Sequence, residues 1–289
     1  MSKNKALLGI LLMVLGSAIL SSKDGIVKTV VDQVGPFQIL WIQFAGSFLV
    51  MALVSLPSHG WKVILPSSPG AQFVRGALNV GAVSAFFFAL KYIPLADATA
   101  LLLFAPVVAT VLSPFVLGEK IGLLRITAAA FGFCGVIVML RPGFAGDPTG
   151  YYIGLTAGIL LGCYFMANRR LAGSQHFLLN ITHNTLMGAL ALTPVMLFVW
   201  EPVPAAVYWE FAFIIGLGVI GQGCLISSFK YGPAAVISPY SYTMLLFSAL
   251  IGYLVFDTVP DAISWLGIVL IVGSGVYIAH RERQLAKGQ

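Results

Sequence analysis

The chain has 289 residues, of which 59% are hydrophobic and only 9% charged, against about a quarter charged in soluble domains. A soluble fold lacks the polar covering for that much apolar surface, whereas in a bilayer lipid solvates the outer face. The net charge of +6 does not indicate nucleic acid, because Lys and Arg stand singly at the ends of apolar runs and form no stripe for phosphates. A helical span needs roughly 20 apolar residues, so there is room for about ten spans with short loops and little else.

Apolar runs between charged or Pro/Gly breaks predict an all-α integral membrane fold of ten helices. They are expected at 6–28, 36–56, 72–91, 95–117, 123–140, 151–170, 178–199, 207–229, 234–256 and 262–280. The start, "MSKNKALLGILLMVLGSAIL", has a basic head and an apolar stretch but no small-x-small cleavage site before a polar chain, so the first span is read as retained.

Span 1 ends in "AILSSKDGIVK". Lys23 and Asp24 there are either a pair gating an outer vestibule or helix-end charges snorkelling to the interface, and the second reading is favoured. Gln43 lies deep in span 2, and Asn79 and Ser84 lie deep in span 3. Phe86, Phe87 and Phe88 spread round most of a turn and cannot all face one way. In span 4, Pro106 and Pro114 each remove a backbone donor and can kink the helix.

Gly154, Gly158 and Gly162 make one flat face of span 6, where a neighbour can approach closely; Tyr164 and Asn168 follow. His183 falls near the start of span 7 and is read as interfacial rather than titrating. Gly216, Gly218, Gly221 and Gly223 thin span 8 around Gln222. Span 9 carries Ser238, Tyr240, Ser241, Tyr242 and Thr243, and Pro239 distorts its start. Polar groups facing lipid are costly, so these residues point inward. Each amide either lines a solute path or ties one helix to another. Cys134, Cys163 and Cys224 lie in apolar segments without a Cys-x-x-Cys, and are read as packing residues.

One phrase is written twice. Lys91-Tyr92-x-Pro94 stands between spans 3 and 4, and Lys230-Tyr231-x-Pro233 stands 139 residues later, between spans 8 and 9. Gly135-Val136 in span 5 likewise matches Gly275-Val276 in span 10. The chain therefore divides into five-helix halves, 1–142 and 150–289. Five is odd, so the second half enters the bilayer from the opposite side, as in the inverted repeats of many secondary transporters. With a cytoplasmic N-terminus, twelve of the sixteen basic residues fall inside, leaving Lys23, Lys28, Lys91 and Arg141 outside. Of the acidic residues only Glu119 and Glu282 fall inside. Both termini are expected in the cytoplasm.

The run "PLADATALLLFAPVVATVLSPFVLGEKI" resembles the fourth-helix signature of the drug/metabolite transporter superfamily, in its ten-helix EamA-type branch. The matching features are Pro94, Ala98, Pro106, Gly118 and Glu119, and the resemblance covers the whole chain. Within the branch the sequence is most similar to YddG-type amino-acid exporters. The second half departs from the pattern: Thr258, beside Asp257, stands where Glu119 stands in the first.

The resemblance implies a central cavity between spans 1, 3, 4, 6, 8 and 9. On that basis Asn79, Ser84, Tyr164, Asn168, Gln222, Tyr240 and Tyr242 are the expected substrate-binding residues, with Pro106, Pro114 and Pro239 at kinks or gates. It implies a multi-pass protein of the inner membrane, functional as a monomer, exporting a broad range of amino acids, aromatic ones included. Export of toxic cations or other metabolites, or uptake, remains the alternative. No predicted span has Asp or Glu at its centre, so facilitated efflux is expected ahead of proton coupling. No cofactor or metal is expected. His59, His176, His183 and His280 are dispersed, no nucleophile–base or carboxylate pair is present, and GxxxxGK is missing, so the chain does not read as an enzyme. A channel filter can be built from carbonyls and is harder to exclude.

Overall fold

The computed structural model describes residues 3–66, 68–118, 123–140, 148–171, 177–228, 230–231 and 237–287. Among these the regular structure is entirely helical. The helices are α1 (Lys3–Val30), α2 (Pro36–His59), α3 (Pro69–Ala89), α4 (Leu95–Leu102), α5 (Ala105–Leu117), α6 (Leu123–Leu140), α7 (Thr149–Arg170), α8 (Phe177–Val199), α9 (Tyr208–Ser228), α10 (Thr243–Phe256) and α11 (Ala262–Lys287). Seven segments are long and apolar enough to cross a bilayer, α4 and α5 counting as one, and three shorter apolar helices accompany them.

Local chemistry sets several ends. Pro36 and Pro69 open α2 and α3, where a missing N–H is harmless. Span 4, expected as one helix, is broken at Leu103 and Phe104, and α5 restarts with Pro106 in its first turn. Pro114, inside α5, does not stop it; the helix runs on to Leu117. The expected span 9 is broken at the matching place: a 3-10 turn, Ser238–Tyr242, carries Pro239 and leads into α10. Gly118 ends α5 in the left-handed conformation at φ 69°, and Asp257, 139 residues on, ends α10 at φ 50°. Glycine adopts that conformation without strain, and Asp is among the residues that tolerate it. Glu119 and Pro233 lie outside the described residues.

The first helix of each half packs on the other half. α1 lies against α9 and α10, and α7 lies against α3, α4 and α5. Two further pairs join the halves, α2 with α8 and α6 with α11. Both run antiparallel. Gln38 meets Glu201 while Ser55 meets Thr182; Ala128 meets Ser274 while Met139 meets Gly267.

The expected flat face of α7 is where α4 and α5 sit. A Cβ on Gly154 would meet Leu101, one on Gly162 would meet Val108, and one on Gly158 would strike the Leu101 carbonyl oxygen. Phe86 and Phe87 are buried in the core, and Phe88 packs edge-to-face on Phe37 at 5.1 Å. We expect Gly158→Leu to destabilise the detergent-solubilised protein by about 1–3 kcal/mol, because backbone cannot yield as a side chain can. Gly216→Ala, whose added methyl meets nothing within 4 Å, should leave the melting temperature within a degree or two of wild type. Thermal unfolding followed by intrinsic fluorescence compares the two.

Candidate functional site: a cavity between the two halves

A cavity of about 580 Å3 opens among α1, α2, α3, α7, α8 and α9, three helices from each half. Most walls are stripes at four-residue spacing, one helix face each. They are Gln43, Ser47 and Met51 on α2; Arg75, Asn79 and Val83 on α3; Tyr164 and Asn168 on α7; Asn180 and Asn184 on α8; and Gly218, Gln222 and Ile226 on α9. Leu20 and Lys23 complete it from α1.

The cavity lies toward the end of the bundle where α1, α3 and α8 begin and α2, α7 and α9 finish. The other end is filled by Val27, Val30, Ile39, Leu40, Phe86, Phe87 and Leu90, all buried. One end is therefore wet and the other dry.

Four expected residues, Asn79, Tyr164, Asn168 and Gln222, are brought together on the wall. Ser84 is buried beyond it with its hydroxyl unpaired among the described residues. Tyr240 is exposed on the outside of the bundle, and Tyr242 is buried with its phenol against Gly275 of α11. The cavity wall thus uses spans 2 and 7 in place of the expected 4 and 9. The broken spans are held elsewhere: α4 against α7 and α10, with α10 against α1.

Two charged groups enter the wall where they were not expected. Lys23 and Asp24 are 7% and 3% exposed and paired at 2.8 Å, with the Lys23 ammonium 5.4 Å from the Phe87 ring centre. This corrects the interfacial reading: α1 continues to Val30, so the pair sits inside the bundle, on the boundary between cavity and dry end. Arg75 was counted among cytoplasmic charges, but α3 begins at Pro69. Six residues at about 1.5 Å each carry Arg75 roughly 9 Å along the helix. It is 1% exposed and donates to the Asn180 side-chain oxygen, to the Asn180 carbonyl at 2.8 Å and to Asn168 Oδ1 at 3.4 Å. His183 is also buried and joins the Lys62 carbonyl through Nε2 at 2.8 Å.

The dry end is fastened by polar contacts. Asp97, at the start of α4, accepts from Tyr151 of α7 at 2.8 Å and from Ser264 of α11 at 3.1 Å. Thr99, Ser248 and Ser21 form a buried hydroxyl chain, with steps of 3.0 and 3.2 Å, that ends on the Met244 carbonyl. Lys28 donates to the Leu90 and Ile93 carbonyls at 2.6 and 2.8 Å, placing a cation where α3 exposes its unpaired C=O groups.

An EamA-like transporter family model matches residues 7–141 and 148–279, once per half. The chain belongs to the EamA-like transporter family. Its EamA repeats coincide with the two sets of helices that wall the cavity.

Relatives share the full length. An S-adenosylmethionine uptake transporter of Rickettsia prowazekii is 25% identical over 91% of this chain and 90% of its own. A pseudopaline exporter, CntI, of Pseudomonas aeruginosa is 26% identical over 95% and 97%. An uncharacterized transporter of Helicobacter pylori is 26% identical over 96% of each. A solved crystal structure superposes with a TM-score of 0.64 over 99% of both chains at 20% identity, which speaks to fold alone. Family and relatives indicate an integral membrane transporter of small molecules rather than an enzyme.

Sequence reasoning missed Arg75, Asn180 and Asn184. The available signal was spacing: Asn180 and Asn184 share a helix face, as do Arg75 and Asn79. We expect Lys23→Met to destabilise the fold by about 3 kcal/mol, because it strands the Asp24 carboxylate in the interior. The double variant Lys23→Met/Asp24→Asn should recover most of that loss. A double-mutant cycle of thermal unfolding in detergent gives the coupling.

Proposed function

We propose that the protein is a secondary exporter of amino acids, aromatic ones included, in which two inverted five-span halves alternate around this cavity. The observation that carries the reading is the cavity itself. It is of small-molecule size, sets amides, a guanidinium and a phenol among mostly apolar surface, and is walled by three helices of each EamA repeat. Antiparallel packing of the corresponding helices α2 and α8, and of α6 and α11, supports a two-fold axis in the membrane plane and hence an inverted relation. Ten spans follow when the three shorter apolar helices also cross. We place the protein in the inner membrane as a monomer with both termini cytoplasmic, so the cavity opens inward and the packed end is the outer barrier. Tyr164, Asn79, Asn168 and Gln222 are the proposed solute contacts; amides meet amino and carboxylate groups, and the aromatic face meets the side chain.

The relatives support a solute carrying amino-acid chemistry, since S-adenosylmethionine is itself an amino-acid derivative. They are named for both uptake and export, so direction is part of the proposal. Cation efflux fits the wall less well: Arg75 faces it, and no carboxylate is among its described lining residues. We propose facilitated efflux down the solute's own gradient, with proton coupling as the alternative.

Counterflow in proteoliposomes preloaded with unlabelled amino acids tests the reading. Labelled methionine or phenylalanine should enter faster than into empty vesicles, with or without a pH gradient. Counterflow that strictly requires the gradient would refute the uniport form, and failure with every amino acid would refute the substrate class. Asn79→Ala and Gln222→Ala should each raise the half-saturating concentration about tenfold, the loss of roughly one hydrogen bond to a polar solute. Amino-acid release from cells expressing the protein, against vector controls, reads direction.

A further inference from the structure

Arg75 holds a full positive charge in the bundle interior with no acidic partner. The Lys23–Asp24 and Lys91–Asp32 pairs do not involve it, and no carboxylate is paired with it among the described residues. Its protein partners are neutral oxygens of Asn180 and Asn168, and the titratable groups near it are Tyr164 and His183. A buried cation without a counter-charge is strongly disfavoured. Here it faces a cavity that a solute can enter.

The donor inventory shows where such a solute would dock. A guanidinium carries five N–H donors in a fixed fork. Asn180 engages both terminal nitrogens, while Nε is buried with no partner among the described residues. Nε and the adjacent Nη2 form the side-on edge that takes a carboxylate with two parallel bonds. Acceptors on the same wall are complementary: Gln43 Oε1 and Asn184 Oδ1 are buried without partners among the described residues. One orphan cationic donor and two orphan acceptors in one cavity are the counterpart of a carboxylate and an ammonium group.

We propose that Arg75 is the anion subsite of the cavity, binding the carboxylate of a zwitterionic amino acid through its Nε edge while Gln43 and Asn184 accept from the ammonium. This rests on the transporter reading above and supplies its recognition chemistry. Lys23 does not compete for the carboxylate, because Asp24 already neutralises it. Asn168 and Asn180 are positioning residues that aim the guanidinium.

Matched ligands test it on the purified full-length chain in detergent, by thermal shift. The probes are L-methionine and L-phenylalanine, their amides, and 3-phenylpropionate, which keeps the carboxylate and lacks the ammonium. The acids should stabilise the protein at concentrations at least about tenfold below those needed for the amides, one good charged hydrogen-bond pair in affinity. Phenylpropionate should fall between. Asn180→Asp places a carboxylate on Arg75 from within; this variant should fold with an undiminished melting temperature and lose the preference for acids. Arg75→Lys should keep a weakened preference.

Equal response to acids and amides, no response to any acid, or an Asn180→Asp variant that still prefers acids would each overturn the subsite. The two readings fail separately. Counterflow without acid preference leaves the transporter and removes the subsite; acid-selective binding without counterflow leaves the subsite and removes the transport reading.

Discussion

The structure depends on how closely one helix backbone can lie on another. In lipid there is no hydrophobic drive between apolar helices, so association rests on packing and on interhelical hydrogen bonds. The glycine face of α7 lets the Leu101 carbonyl of α4 come to within van der Waals contact of its backbone. In the other half Ser21 of α1 donates to the Met244 carbonyl, and Met244 lies 139 residues after Ala105, whose carbonyl faces Gly162. Each half thus grips the first helix of the other, once through a missing side chain and once through a hydroxyl. A cavity bounded by exchanged helices is necessarily shared between the repeats.

Where those grips occur also decides where water can go. The helix breaks near Leu103 and at the Ser238–Tyr242 turn precede helices α5 and α10, and α10 packs against α4 and α1. There Thr99, Ser248 and Ser21 are hydroxyl-bearing, and one carboxylate oxygen of Asp97 accepts from Tyr151 and Ser264. These hydroxyls and Asp97 reach across to other helices. At the opposite end Gln43, Asn184 and Arg75 retain unsatisfied atoms. The same residue types therefore act as glue at one end and as a lining at the other, according to whether a partner helix is within reach. Lys23 and Asp24 sit where the cavity meets the packing around Phe86, Phe87, Ile39 and Leu40.

The helical architecture was largely legible in the sequence because lipid demands long apolar runs, and these survive any detail of packing. The repeat was legible for the same reason that Gly118 and Asp257 share a backbone conformation: the fold preserves turns even where it replaces the residue. Asn79, Tyr164, Asn168 and Gln222 could be picked out as polar groups deep in spans. Arg75 could not, because a basic residue six positions from a helix start reads as an interfacial charge until the start is fixed at Pro69. Tyr240 and Tyr242 were misplaced for a different reason. Their depth was right, but depth does not specify direction, and the 3-10 turn at Pro239 with the open space over Gly275 sends Tyr242 into α11.

The repeat has a further consequence for recognition. At the 139-residue offset the counterpart of Arg75 is Ile214, fully buried on α9. Two residues beyond the matched contacts of Ser21 and Gly162 stand Lys23 and Tyr164, both on the cavity wall. The halves agree in backbone and disagree in charge. Ile214 belongs to the packed core rather than to the cavity wall, so the guanidinium has no counterpart in the cavity. In the proposed subsite the one cation without a carboxylate partner, with amide oxygens around it, would orient a solute that has two unlike ends. The two repeats thus share a fold and differ in the side chains they bring to the cavity.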